Sequence, residues 1–254
     1  MNLRRTIIFA LFHVPYFFHK LTATGAFGRQ SAAYLHKPLK GDGNALKAAL
    51  VKHYEKQFHE ASCSVASVVM VVNALKSIQN RPGATFHPIS QMDILEKVRT
   101  AHWKERMGEG GHNGKRGLPL PVLNEVVKSS LKAYGIRYKT FETVQAQKSG
   151  PRVEKIKTRL WQRLEAFEQQ GNAVMIAHFD QGAYIPGLNI PHISPVGGFD
   201  AKKGLVTILD VDYDVKYPYQ ISFETFYKGL ASNYNFILRP FGFKSGGYVY
   251  IGLD

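Results

Sequence analysis

Cys63 is the only cysteine in 254 residues. It stands where a polar turn, His59-Glu60-Ala61-Ser62, gives way to an apolar run in which only Ser64, Ser67, Asn73 and Lys76 of residues 64–76 are polar. That length suits a buried helix better than a strand. The many valines pull toward sheet, but Ser62 is placed to cap a helix. Cys63 then lies in the first turn, where unpaired amides and the positive end of the macrodipole favour a thiolate, the attacking species in cysteine chemistry. Gln57, six residues upstream, can return its side-chain amide to the same spot and, with the Cys63 N–H, donate to a developing oxyanion. The plainer reading is also open: a small, inert hydrophobe at the edge of an apolar helix.

A nucleophilic thiol needs a base, and the chain offers ten histidines. His13, His36, His53, His59, His87, His102 and His112 fall in surface-like or irregular stretches, without the i,i+4 pairing of a helical metal site. His178 lies inside an apolar strand and reads as structural. His192 follows the turn-rich GAYIPGLNIP and opens a strand, so its ring can project from a rigid edge. Its hairpin partner ends at Leu209-Asp210-Val211-Asp212. Asp210 is expected beside His192 Nδ1, leaving Nε2 for the thiol; Asp212 has the same parity and is the weaker candidate.

The elements that must position these groups are legible in outline. Residues 45–56 read as a short helix. Ser90 caps a helix through Val98, residues 118–134 form a helix ended by Gly135, and residues 153–170 form an amphipathic helix ended by Gly171. Strands are expected at 136–141, 173–179, 192–199, 205–211, 236–239 and 247–252, with a hairpin loop at 200–204 and a short helix from Ser222 through Leu230. The glycine-rich segment 108–117 lacks the glycine and the Ser/Thr of a phosphate loop and reads as a surface loop. A mostly helical first half followed by a mostly antiparallel second half is an α+β arrangement of two lobes.

Composition narrows the function. Hydrophobic residues make up 44% of the chain, enough for a full core, and one cysteine excludes both intrachain disulfides and a multi-cysteine zinc site. A formal charge of +14 attracts anions. The basic residues are scattered and not interleaved with aromatics, which argues against nucleic acid. At the N-terminus, Arg4 and Arg5 precede an apolar run and then small residues. Residues 1–28 read as a secretory signal, a membrane anchor or an amphipathic first helix. The protein is periplasmic, secreted or membrane-attached if they act as a signal, and cytoplasmic otherwise.

Taken together, Cys63-Ser64-Val65-Ala66-Ser67 with Val72-Asn73-Ala74-Leu75, His192-Ile193-Ser194-Pro195 with Gly197-Gly198, Ile208-Leu209-Asp210-Val211 and Lys216-Tyr217-Pro218 resemble the phytochelatin synthase family. The likeness runs from about Lys40 to the C-terminus, with residues 29–254 as the catalytic domain. It implies a papain-like fold, with a helical N-terminal lobe carrying the thiol and an antiparallel β C-terminal lobe carrying the His–Asp pair. It implies that Cys63 attacks the Cys–Gly bond of glutathione, His192 serves as base and then acid, Asp210 orients it, and Gln57 is the oxyanion donor. The γ-glutamylcysteinyl group then passes to water or to a second glutathione.

The family places glycine where this chain has Ser64 and Pro191. Those two residues, with Ile193, are expected to border the acyl group, and Lys244 to hold a substrate carboxylate; the acidic residue for the γ-glutamyl amine is not assigned. No protein metal site and no tightly bound cofactor are expected, cadmium or zinc entering as glutathione thiolates. Without a cysteine-rich C-terminal region, the chain resembles the short bacterial members, in which hydrolysis outweighs chain extension. Membrane attachment through residues 1–28 and a homodimer are left open. The alternatives are another papain-like cysteine peptidase or acyltransferase, a non-catalytic ligand-binding relative, and a basic membrane-surface or nucleic-acid protein with a core cysteine.

Overall fold

The computed structural model describes residues 43–80, 85–183, 190–234 and 238–253, the backbone of 32–34, and the isolated positions Ile7 and Val14. The readings made for residues 1–28 therefore fall almost wholly outside the described residues. Among the latter, no helix is long and apolar enough to cross a membrane.

The fold class is α+β. The described helices, in chain order, are α1 (Ala45–Lys52), α2 (Cys63–Gln79), α3 (Gln91–Lys97), α4 (Trp103–Met107), α5 (Leu120–Ala133), α6 (Val153–Gln170) and α7 (Phe223–Leu230). The strands are β1 (Ala32–Tyr34), β2 (Thr140–Gln145), β3 (Ala173–Asp180), β4 (Pro191–Asp200), β5 (Leu205–Ile208), β6 (Tyr219–Ser222) and β7 (Gly247–Gly252). They form one sheet in the order β1-β6-β5-β4-β3-β7-β2, each neighbouring pair antiparallel. The sheet draws mainly on the second half of the chain but takes an edge strand from each side of the helical region.

Helix α2 is the core element. Every residue from Ser64 to Leu75 is buried, so the helix is enclosed on all sides, as its uniform apolarity requires. Fully burying a Val, Leu or Met side chain is worth about 1.5–3 kcal/mol, whereas the helix-propensity penalty of valine is below about 0.7 kcal/mol. Burial wins, and the valine-rich run is helical. It packs against β4 and β3, which are themselves buried along nearly their whole length. Ser67 Oγ donates to the Ile193 carbonyl at 2.9 Å, pinning the helix to the strand one turn below Cys63.

Several boundaries differ from the sequence reading. The strand expected at 136–141 begins at Thr140 because Ile136 is used in ending α5. Its N–H bonds to the Leu131 carbonyl, the Gly135 N–H bonds to that of Lys132, and Gly135 has φ +66. This is a Schellman closure. The helix expected to run to residue 56 stops at Lys52. Of the strand expected at 236–239, Phe236 and Ile237 lie outside the described residues, and Arg239–Phe241 is a 3-10 turn, as Pro240 favours. β1, β6 and α4 carry too few residues to show a period, and the sequence reading missed them.

The β4–β5 hairpin holds a register shift between Val196 and Gly198. A Cβ placed on Gly197 would fall 2.5 Å from Leu209 Cγ; only glycine allows Leu209 to lie this close, and Leu209 carries Asp210. Gly197→Ala is therefore expected to destabilise the protein by about 1–3 kcal/mol, measured by urea unfolding.

Candidate active site

Cys63 is the first residue of α2 and is partly exposed. Ser62 occupies the N-cap position with φ −97 and ψ 17, but its side chain does not cap the helix. Its hydroxyl instead donates to the His59 carbonyl at 2.8 Å and accepts the His59 N–H at 3.0 Å, closing the turn that leads into the thiol. Gln57 is buried, its backbone N–H donating to the Val211 carbonyl at 2.8 Å. Its side-chain Oε1 has no protein partner, so the amide is not fully used by the fold.

His192 and Asp210 are both buried, and His192 Nε2 lies 2.8 Å from Asp210 Oδ1. This reverses the ring expected from sequence, which had Nδ1 facing the carboxylate. Ser194, two residues on and therefore on the same face of β4, brings its Oγ within 3.0 Å of the same Nε2, so the outer nitrogen points inward. The Cys63 side chain lies beside the ring and helps to raise its pKa. The Asp210 carboxylate is further held by Tyr219 Oη, donating to Oδ2 at 2.7 Å, and by the Asp212 N–H, donating to Oδ1 at 2.9 Å.

Burial opposes charge on the ring, but the Asp210 charge and hydrogen bond, with those of Cys63, override it and raise the His192 pKa well above its ordinary value. Burial likewise works to raise Asp210, and is outweighed by the His192 charge and the hydrogen bonds from His192, Asp212 and Tyr219, so that its pKa is lowered. This arrangement can accept a thiol proton and keep it. His178 behaves differently. Burial pushes its pKa down to about 4, and its Nε2 hydrogen-bonds the Leu118 carbonyl at 3.1 Å, which suits a structural, neutral imidazole.

The remaining sequence candidates are placed as follows. Ser64 is fully buried with its hydroxyl occupied, accepting from Trp103 Nε1 at 3.1 Å and lying 3.8 Å from Met107 Sδ. Pro191 opens β4 opposite Asp180, and Ile193 is buried with its carbonyl on Ser67. Lys244 is exposed just before β7, and its ammonium makes no ion pair among the described residues. Asp212 accepts the Asp214 N–H and lies 3.5 Å from Gln181 Nε2. The structure thus gathers Cys63, His192 and Asp210, ties Gln57 to the residue after Asp210, and turns Ser64 away into the core. Among the described residues no group of three or more His, Cys, Asp or Glu could hold a metal ion. Sequence reasoning missed Ser194, which the alternation of β4 places beside His192, and Tyr219, which no local pattern marks.

The pKa directions set a stability window. The contribution of raised His192 is complete below pH 6.5 and is lost as pH rises through the folded value. That of lowered Asp210 is complete above pH 3.8 and is lost as pH falls through the folded value. Asp210→Asn is expected to lower the His192 titration, because burial then acts without its largest counterweight. Imidazole chemical shifts followed by NMR against pH check this.

With this geometry in hand, comparison with known proteins identifies the chain. A search of curated proteins returned no match. The family model described as phytochelatin synthase matches residues 29–236, a span containing α1 to α7, Gln57, Cys63, His192 and Asp210. The chain belongs to the phytochelatin synthase family.

Proposed function

We propose that this protein is a thiol-dependent γ-glutamylcysteinyl transferase and hydrolase acting on glutathione, built on a papain-like fold. Membership of a transferase family whose substrate is glutathione supports the reaction class. The single observation that carries it to this chain is the buried His192–Asp210 pair, 2.8 Å apart, with the Cys63 side chain at the head of α2 acting on the same ring. A ligand-binding relative has no physical need of a base with a raised pKa beside a cysteine.

In this reading His192 takes the Cys63 proton through Nδ1, and the thiolate sulfur attacks the carbonyl carbon of the Cys–Gly bond. The tetrahedral oxyanion receives hydrogen bonds from the Cys63 N–H and the Gln57 amide. His192 then returns the proton to the departing glycine nitrogen, leaving a γ-glutamylcysteinyl thioester on Cys63. Water, or the α-amine of a second glutathione, attacks the thioester with His192 again as base. Asp210 remains a carboxylate throughout and stabilises the imidazolium. The net positive charge of the chain favours capture of an anionic tripeptide. Lys244 would meet one of its carboxylates, and Pro191 and Ile193 would border the acyl group. Ser64, with its hydroxyl already engaged, would act on the substrate only through the backbone. Cadmium or zinc would enter as the glutathione thiolate.

Incubation of the purified protein with glutathione, with and without cadmium, is expected to release glycine and γ-glutamylcysteine, seen by mass spectrometry. Cys63→Ala should abolish turnover, and Gln57→Ala should lower kcat on the order of a hundredfold. Absence of both turnover and a thioester on Cys63 would rule out glutathione as the substrate.

A further inference from the structure

Between α1 and Gln57 the chain leaves its helix and runs beside residues 210–215. Tyr54 Oη donates to the Asp210 carbonyl at 2.6 Å. The Lys56 ammonium donates to that carbonyl at 2.7 Å, to the Val215 carbonyl at 2.6 Å, and to the Tyr54 hydroxyl. An ammonium has three N–H donors, and all three are used inside the fold. From the other side Gln91 Nε2 donates to the Lys56 carbonyl at 2.7 Å. The next residue, Gln57, bonds the Val211 carbonyl through its own N–H.

Lys56 therefore spans both ends of the turn that begins at Asp210, while its backbone leads directly into the candidate oxyanion donor. Packing alone does not account for it, since a methionine would fill similar volume without the desolvation cost of a charge. Asp210 and Asp212 are the charged groups that face it; burial lowers its pKa and those two carboxylates work against that.

We infer that Lys56 is a positioning residue. By holding the Asp210 carbonyl, the Val215 carbonyl and the Tyr54 hydroxyl together, it locks the 210–215 turn to the segment carrying Gln57. The carboxylate that orients His192 and the amide that meets the oxyanion then keep one fixed separation. The inference deepens the proposed reaction and rests on it for its chemistry, but its structural content stands on the hydrogen bonds.

The test compares full-length wild type with Lys56→Met and Tyr54→Phe. For Lys56→Met, kcat for glycine release from glutathione should fall on the order of ten- to a hundredfold, as misplaced catalytic groups do. KM should stay within about twofold, the signature of an interaction made only in the transition state. The His192 titration should move to lower pH as the Asp210 carboxylate loses its fixed place. Tyr54→Phe, which keeps the packing and removes one hydroxyl, should give a smaller kcat loss with the same split.

Wild-type kcat and an unmoved His192 titration in a folded Lys56→Met protein would overturn the inference, as would a fall in melting temperature without either change. If Lys56→Met does not fold, wild-type kcat and titration in Tyr54→Phe would overturn it. If the wild type itself releases no glycine, the substrate reading fails separately, and the His192 titration in the variants still decides the role of Lys56.

Discussion

The buried pair formed by His192 and Asp210 is the constraint around which this fold is arranged. Two groups that water would solvate lie in the interior, where an uncompensated charge costs several kcal/mol. The fold offsets that cost with hydrogen bonds from close neighbours in the chain and from the next strand: Ser194 beside His192 on β4, the Asp212 amide just after Asp210, and Tyr219 on β6. Removing one member of such a pair costs about 3–5 kcal/mol because the other is left buried without its partner. The same bonds that stabilise the pair also set the ring for chemistry, so stability and site geometry cannot be varied separately here.

The thiol reaches this pair through helix packing. α2 is buried on every side, and its Ser67 hydroxyl fixes its height on β4 at Ile193, the residue after His192. Cys63 lies one helical turn above Ser67 on the same face, so a single hydrogen bond and a large apolar contact place it near the ring. The other approach to the site comes from the extended segment 54–57, bonded to residues 210–215. Two separate contacts thus carry the two functional ends of one short stretch of sequence, Gln57 and Cys63, to the same pair.

Much of this was legible before any coordinates. The valine-rich helix, the amphipathic helix ending at Gly171, the β4–β5 hairpin and the cap at Ser222 follow from period, glycine placement and capping chemistry. Short elements were not legible. β1 and β6 are too brief to show alternation, and they exist because each pairs with a neighbour already in the sheet. Ile136 looked like the start of a strand because its apolarity suits either role, and the Schellman bonds assigned it to the end of α5.

By itself the sequence determined which residue types could do chemistry and in what order they occur. One cysteine at the mouth of an apolar run, one histidine opening a strand, and an aspartate across a hairpin are local patterns, readable because capping, periodicity and turn chemistry act over a few residues. Tertiary structure decided which ring nitrogen meets the carboxylate, that Ser64 turns into the core toward Trp103, and that Tyr219 and Lys56 hold Asp210 from two directions. These are contacts between residues up to 154 positions apart. They depend on the direction in which packed side chains point, and no local pattern encodes that direction.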